Sequence, residues 1–210
     1  MYNLSKKEEK ILRSLDTPKK IQDFLNKIPI NFEREGDTCY SPRKVLREKK
    51  AHCIEGALLA AFCFKLQGKK PLVVDLKTCK NDFEHVIAIF KRNGKYGAIS
   101  KTNHAVLRYR EPIYKNIREL VMSYFHEYFD DKGRKNLRSF SEPVNIIKKF
   151  GTGWIISEEN LWEIHDALDK VKHHKILTKK QIARLRKADK IEIKAGKLVE
   201  WRRGKKIKNR

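Results

Sequence analysis

Two side chains in this sequence are placed to do nucleophilic chemistry together. Cys53 stands near the head of AHCIEGALLAAFCFKLQG, and His85 opens HVIAIF 32 residues later. A thiol attacks as its thiolate, a form favoured at the positive end of a helix and beside a protonated imidazole. The first segment predicts a helix beginning at Cys53, and the second predicts a strand beginning at His85. A sulfur at a helix head, facing a histidine at a sheet edge, is what a Cys/His pair requires, with a third polar group to orient the ring. Either residue alone would read as packing, because free Cys is among the most buried residue types. Their order and their elements together point to chemistry.

The other thiols and imidazoles fit less well. Cys63 lies ten residues along the same helix, about 280° round, and is expected in the core. Cys39 and Cys79 fall in predicted loops. His52 adjoins Cys53, but neighbours on a helix point apart, which makes it a poor general base. The four cysteines form no CxxC pair, so neither a zinc site nor a disulfide framework is expected, and no metal or cofactor is called for. His173 and His174, between Lys172 and Lys175, read as a charged helix end.

The elements that must position the pair follow from pattern. Ser5 with Glu8 predicts a capped helix over 5–15, and Ile21, Phe24, Leu25 and Ile28 give a second at helical spacing. Pro42 opens a short third helix. Between Cys53 and Leu66 only Glu55 and Lys65 are charged, so that helix is apolar nearly all round and must be buried centrally, with Gly68 placed to stop it. PLVVDL, HVIAIF and YGAIS then predict three strands, the last two joined by an RNGK hairpin. Helices followed by a run of strands argue an α+β fold with an antiparallel sheet. Helix is expected again over 113–129 and from Ser157 through SEENLWEIHDALDKV, with GRKNLRSFSEPVNI irregular or a brief edge strand. In the tail, TKKQIARLRKAD predicts a helix, and KIEIK and KLVEW predict short strands.

This order of Cys helix, strand, His strand, short turn and aromatic-bearing strand resembles the transglutaminase-like family of papain-like cysteine folds. The resemblance runs from about Pro42 to Thr102. It implies a papain-like core in which a buried Cys-bearing helix packs on an antiparallel sheet. It also implies an acid closing the strand after the histidine's. Carried over, that position is Ser100, in YGAISKT, a neutral hydroxyl where the pattern has an Asp. Asn103 could serve instead, as Asn does in papain-like proteases, or Asp82 from the loop before His85. The implied activity is acyl transfer from a peptide or amide substrate. The Cys53 backbone N–H would act as an oxyanion donor, with Gln22 or Asn26 as helpers. His104, Arg108 and Arg110, just beyond the third strand, could bind an anionic substrate group or form a solvated loop.

Charge divides the chain unevenly. The formal net charge is +23, and residues 170–210 hold 17 Lys and Arg against 3 acids. A boundary is therefore expected near residue 150, with a core domain over 1–150 and a basic, helical C-terminal extension or small subdomain over 151–210. Such a tail could contact nucleic acid or another acidic partner. A binding module with a degraded triad and this tail is the alternative to an enzyme. The first residues lack the apolar run of a signal peptide and no stretch approaches a membrane span, so a cytoplasmic protein with free thiols is expected.

Overall fold

Helix α4 (Cys53–Leu66) is the hub of the computed structural model, which describes residues 2–79 and 82–202. Its residues Leu58, Phe62 and Phe64 are wholly excluded from solvent, as a helix without a polar face requires. Three amphipathic helices cover its outer sides: α1 (Lys6–Ser14), α2 (Pro18–Lys27) and α3 (Pro42–Glu48). Each begins with a hydroxyl at the N-cap, Ser5, Thr17 and Ser41, and α1 carries the full Ser5/Glu8 capping box.

The inner side of α4 rests on a seven-stranded antiparallel sheet: β1 (Leu72–Thr78), β2 (His85–Arg92), β3 (Lys95–Ile99), β4 (Arg110–Tyr114), β5 (Leu137–Ser141), β6 (Val144–Asn145) and β7 (His173–Lys175). The order is β4-β3-β2-β1-β5-β7, with β6 also paired to β1. Asn93 and Gly94 take φ of 49° and 76° between β2 and β3, the left-handed pair a two-residue hairpin demands. Both faces of the sheet are covered. Val73, Val86, Ala88 and Phe90 meet α4, and Val74, Ile87 and Ile89 meet a second cluster containing Tyr124 and Phe125. α5 (Ile117–Met122) is followed by a 3₁₀ turn at Phe125–Glu127, flanked by Tyr124 and Tyr128, so the helix expected over 113–129 is two short pieces.

The C-terminal third departs most from expectation. α6 (Ile146–Phe150) leads to a 3₁₀ turn, and Trp154, Ile155 and Leu161 join the α4 core. α7 (Trp162–Lys170) starts five residues after Ser157, whose hydroxyl instead engages Glu159. Ile164 and Leu168 pack from α7 into the same core, and β7 forms the outer strand of the one sheet. Residues on both sides of position 150 thus share one core cluster and one sheet. α8 (Lys179–Ile182) is a single turn. KIEIK, expected as a strand, is the start of α9 (Lys190–Gly196), because Asp189 and Glu192 form a capping box around its first turn. KLVEW makes one antiparallel bridge, Val199 to His104. No helix among the described residues is long and apolar enough to cross a membrane.

Candidate active site

The chain delivers Cys53 to the first position of α4 through its neighbours. Ala51 is pinned by a parallel bridge to Ile30, its N–H donating to Pro29 O at 3.2 Å and its O accepting from Asn31 N at 3.1 Å. His52 follows as the N-cap with φ −100° and ψ −169°. In that extended conformation its ring is not bound by helical geometry, and Nδ1 lies 4.0 Å from Cys53 Sγ. The rule that helical neighbours point apart does not hold at a cap. His52, discounted on the sequence, belongs to the site.

On the other side, His85 opens β2 almost wholly buried. The β2–β3 register pairs Ala88 with Ile99, and its continuation puts Ser100 opposite Ile87. Ser100 is thus a diagonal neighbour of His85, and its Oγ lies 2.7 Å from His85 Nε2. The same hydroxyl donates its only proton to the Leu107 carbonyl. It must therefore accept from His85 Nε2–H, which leaves the Nδ1 side of the ring for other partners. Gln22 fixes the serine: its Oε1 accepts Ser100 N–H at 3.0 Å, and its Nε2 donates to Ser100 O and Asn26 Oδ1, both at 2.9 Å.

Burial alone would raise the Cys53 thiol. Hydrogen bonds and charge from His52 and His85 outweigh it and hold the thiol well below its ordinary range. Burial would likewise lower His52, yet the Cys53 sulfur, Glu55 and the Thr38 carbonyl hold it up at about 10. By contrast Cys63, with no charged partner and full burial, is pushed far upward. Cys53 stays partly exposed while Cys39 and Cys63 are buried.

Several expected residues are elsewhere. Gln22 has spent both amide protons on Ser100 and Asn26, so it has none left to serve as an oxyanion donor. Asn103 exchanges two hydrogen bonds of 2.9 Å with the Trp201 backbone and does not reach His85. Asp82 accepts from Phe83 N and Asn136 Nδ2. His104 bonds Gly196 O, Arg108 pairs with Glu200 at 3.1 Å, and Arg110 pairs with Glu127 at 2.6 Å over the Tyr124 ring. These three fasten the chain to itself. The sequence reading also missed Glu55, a fully buried carboxylate that accepts from Thr38 Oγ1 at 2.7 Å, Tyr40 N at 2.9 Å and His52 N at 2.8 Å. A lone acid inside an apolar helix, three residues after a cap position, was the available signal.

Two clefts approach the site. One of about 870 Å³ reaches Glu33 and Thr38, which hold His52, and one of about 520 Å³ opens on His85 and Tyr128. The C-terminal segment lies between them, with Gly196 and Lys197 lining the second cleft and Val199–Arg202 the first. Outside the site, Asp75, Glu84 and Asp169 bring carboxylate oxygens within 4.8 Å of one another, but the Lys77 ammonium lies 3.1 Å from Asp169 and 3.5 Å from Glu84. A scan against protein-family models finds no match to this chain, and a search of curated proteins finds no significant match either.

Proposed function

We propose that this chain is a cysteine-dependent acyl-transfer enzyme of transglutaminase-like type, acting on a peptide or amide, with Cys53 as nucleophile and His85 as proton carrier. What supports this reading is geometry: Cys53 opens α4 with an imidazole nitrogen of His52 4.0 Å from its sulfur, and His85 is oriented by Ser100, both rings holding the thiol below its ordinary range. In the first half-reaction the sulfur bonds to the acyl carbon and the carbonyl electron pair moves onto oxygen. The Cys53 backbone N–H, unpaired within the helix as a first-turn donor, would stabilise that developing charge. Collapse expels the amine, which takes the proton His85 received from the thiol, and leaves a thioester. Water then attacks, giving its proton to His85, and the thiolate leaves. An amine in place of water would make the reaction a transfer.

The test is acyl-enzyme trapping. On exposure to an activated ester, intact mass spectrometry should find a single acyl group on Cys53. The adduct should be absent in Cys53→Ala and slowed at least about a hundredfold in His85→Ala. Acylation spread over lysines, indifferent to both substitutions, would overturn the proposal.

A second reading rests on a different observation: Lys179, Lys180, Arg184, Arg186 and Lys187 are all exposed around α8. They would meet a polyanion such as nucleic acid. Residues 203–210, the end of that basic tail, lie outside the described residues. Binding that weakens linearly in log salt supports this reading, and salt-independent or absent binding removes it.

A further inference from the structure

The pattern this chain resembles puts a carboxylate behind the strand histidine, and here that position is the neutral Ser100. The carboxylates of this site stand behind the other imidazole. His52 Nε2 lies 3.3 Å from Glu55 Oε1 and 3.5 Å from Glu33 Oε1, and donates to Thr38 O at 2.9 Å. Its Nδ1 faces the sulfur at 4.0 Å. Glu55 is fully buried and held by Thr38, Tyr40 and Asn31. A buried carboxylate set so firmly is stabilised by a cation, and the nearest titratable ring is His52.

We infer that His52 is a second imidazole of the catalytic centre: protonated between Glu55, Glu33 and the Cys53 sulfur, it supplies a standing positive charge for the thiolate, while His85 carries the moving proton. This deepens the acyl-transfer reading and rests on it. The proton balance is unchanged. The thiol's proton passes to His85 and on to the leaving group, and His52 keeps its own proton throughout.

Of the groups around His52, Glu33 and Thr38 belong to the segment between α2 and α3, and Glu55 and Cys53 to α4. The buried thiol of Cys39 and the ring of His85 on β2 face the same sulfur's field. The Tyr128 hydroxyl, which donates to Phe83 O at 2.6 Å, completes the surroundings of the sulfur. Glu55 and Glu33 are the acids set against the charge of His52. Such an arrangement explains how a serine can stand in the third position. Ser100 needs only to orient His85, because the charge that a third carboxylate would supply acts through His52 instead.

The test separates the inference from the reading beneath it. Cys53 alkylation by iodoacetamide is followed against pH in the unaltered protein and in His52→Gln, which keeps a polar side chain of similar reach. In His52→Gln the inflection should move up by at least one pH unit, cutting labelling near pH 6 at least about tenfold, while rates near pH 10 converge. Rapid low-pH labelling that is unchanged in His52→Gln but lost in His85→Ala would overturn the inference and leave the enzyme reading standing. An ordinary thiol profile in the unaltered protein would remove both. Should His52→Gln fail to fold, histidine ring NMR on the unaltered chain decides the matter. The His52 resonance should still report imidazolium at about pH 8.5, and should titrate at least one unit lower in Cys53→Ser. Titration in the ordinary range in the unaltered protein would contradict the inference.

Discussion

Ser100 has one hydroxyl proton and gives it to the Leu107 carbonyl, which is why it can only accept from His85. Ser100→Ala removes the acceptor and frees the ring to rotate, so Cys53 acylation should fall by about tenfold or more with little change in fold. Gln22→Ala should act differently. It strips the Ser100 backbone of two partners in a buried setting, costing about 1–3 kcal/mol of stability for each group left unpaired, readable as a lowered urea midpoint. At this scale Cys53, His85 and Ser100 were legible from residue order and from which element each one heads. His52 and Glu55 were not, because their meeting depends on an extended cap residue and on the loop between α2 and α3 folding over it. Asn103 and the two arginines misled for a related reason: polar density beside a strand end does not say which groups the chain will consume itself.

Helix α4 meets the loop after β3 at its closest point beside Gly56. A β-carbon at Gly56 would lie 2.6 Å from Lys101 Cβ, so Gly56→Ala should destabilise by about 1–3 kcal/mol despite the better helix propensity of Ala. Equal or greater stability would contradict that packing. Lys101 is itself buried, and its ammonium braces the end of α2 by donating to Leu25 O at 2.8 Å and Ile28 O at 2.6 Å. Burial pushes this amine down to about 8. An unfolded chain keeps the proton to about 10.4, so between these values the unfolded state binds more protons and stability rises with pH. Lys101→Met should abolish that rise, seen as the difference in thermal midpoint between about pH 7.5 and about pH 9.5 in each protein. The long apolar helix and the hairpin were plain in sequence because one element decides each of them. β4 and α9 were not, and β5, expected as irregular chain or a brief edge strand, lies between β1 and β7, since five- to seven-residue pieces take their state from the strand, cap or neighbour they meet.

The described part of the basic C-terminal segment folds back over the candidate site. Asn103 grips Trp201 by two hydrogen bonds, Ala105 N donates to Leu198 O at 3.0 Å, and Gly133 O accepts from Ala188 N at 2.8 Å. Charge alone suggested an appendage. Leu161, Ile164 and Leu168 nevertheless lie in the α4 core and β7 pairs in the sheet, so a solvated basic face and a buried apolar face share the same elements, which composition cannot separate. Asn103→Ala should therefore speed hydrogen exchange at the Glu200 and Trp201 amides while leaving the pH profile of Cys53 unmoved. A shifted profile would place Asn103 back among the site residues. The most direct test of the whole account is the rate of Cys53 alkylation by iodoacetamide against pH, site by site, in the unaltered protein and in His85→Ala. Rapid labelling well below about pH 8, diminished at least about tenfold in the variant, is the predicted result. Slow labelling with an ordinary thiol profile, indifferent to His85, would contradict the claim that this chain holds an activated cysteine.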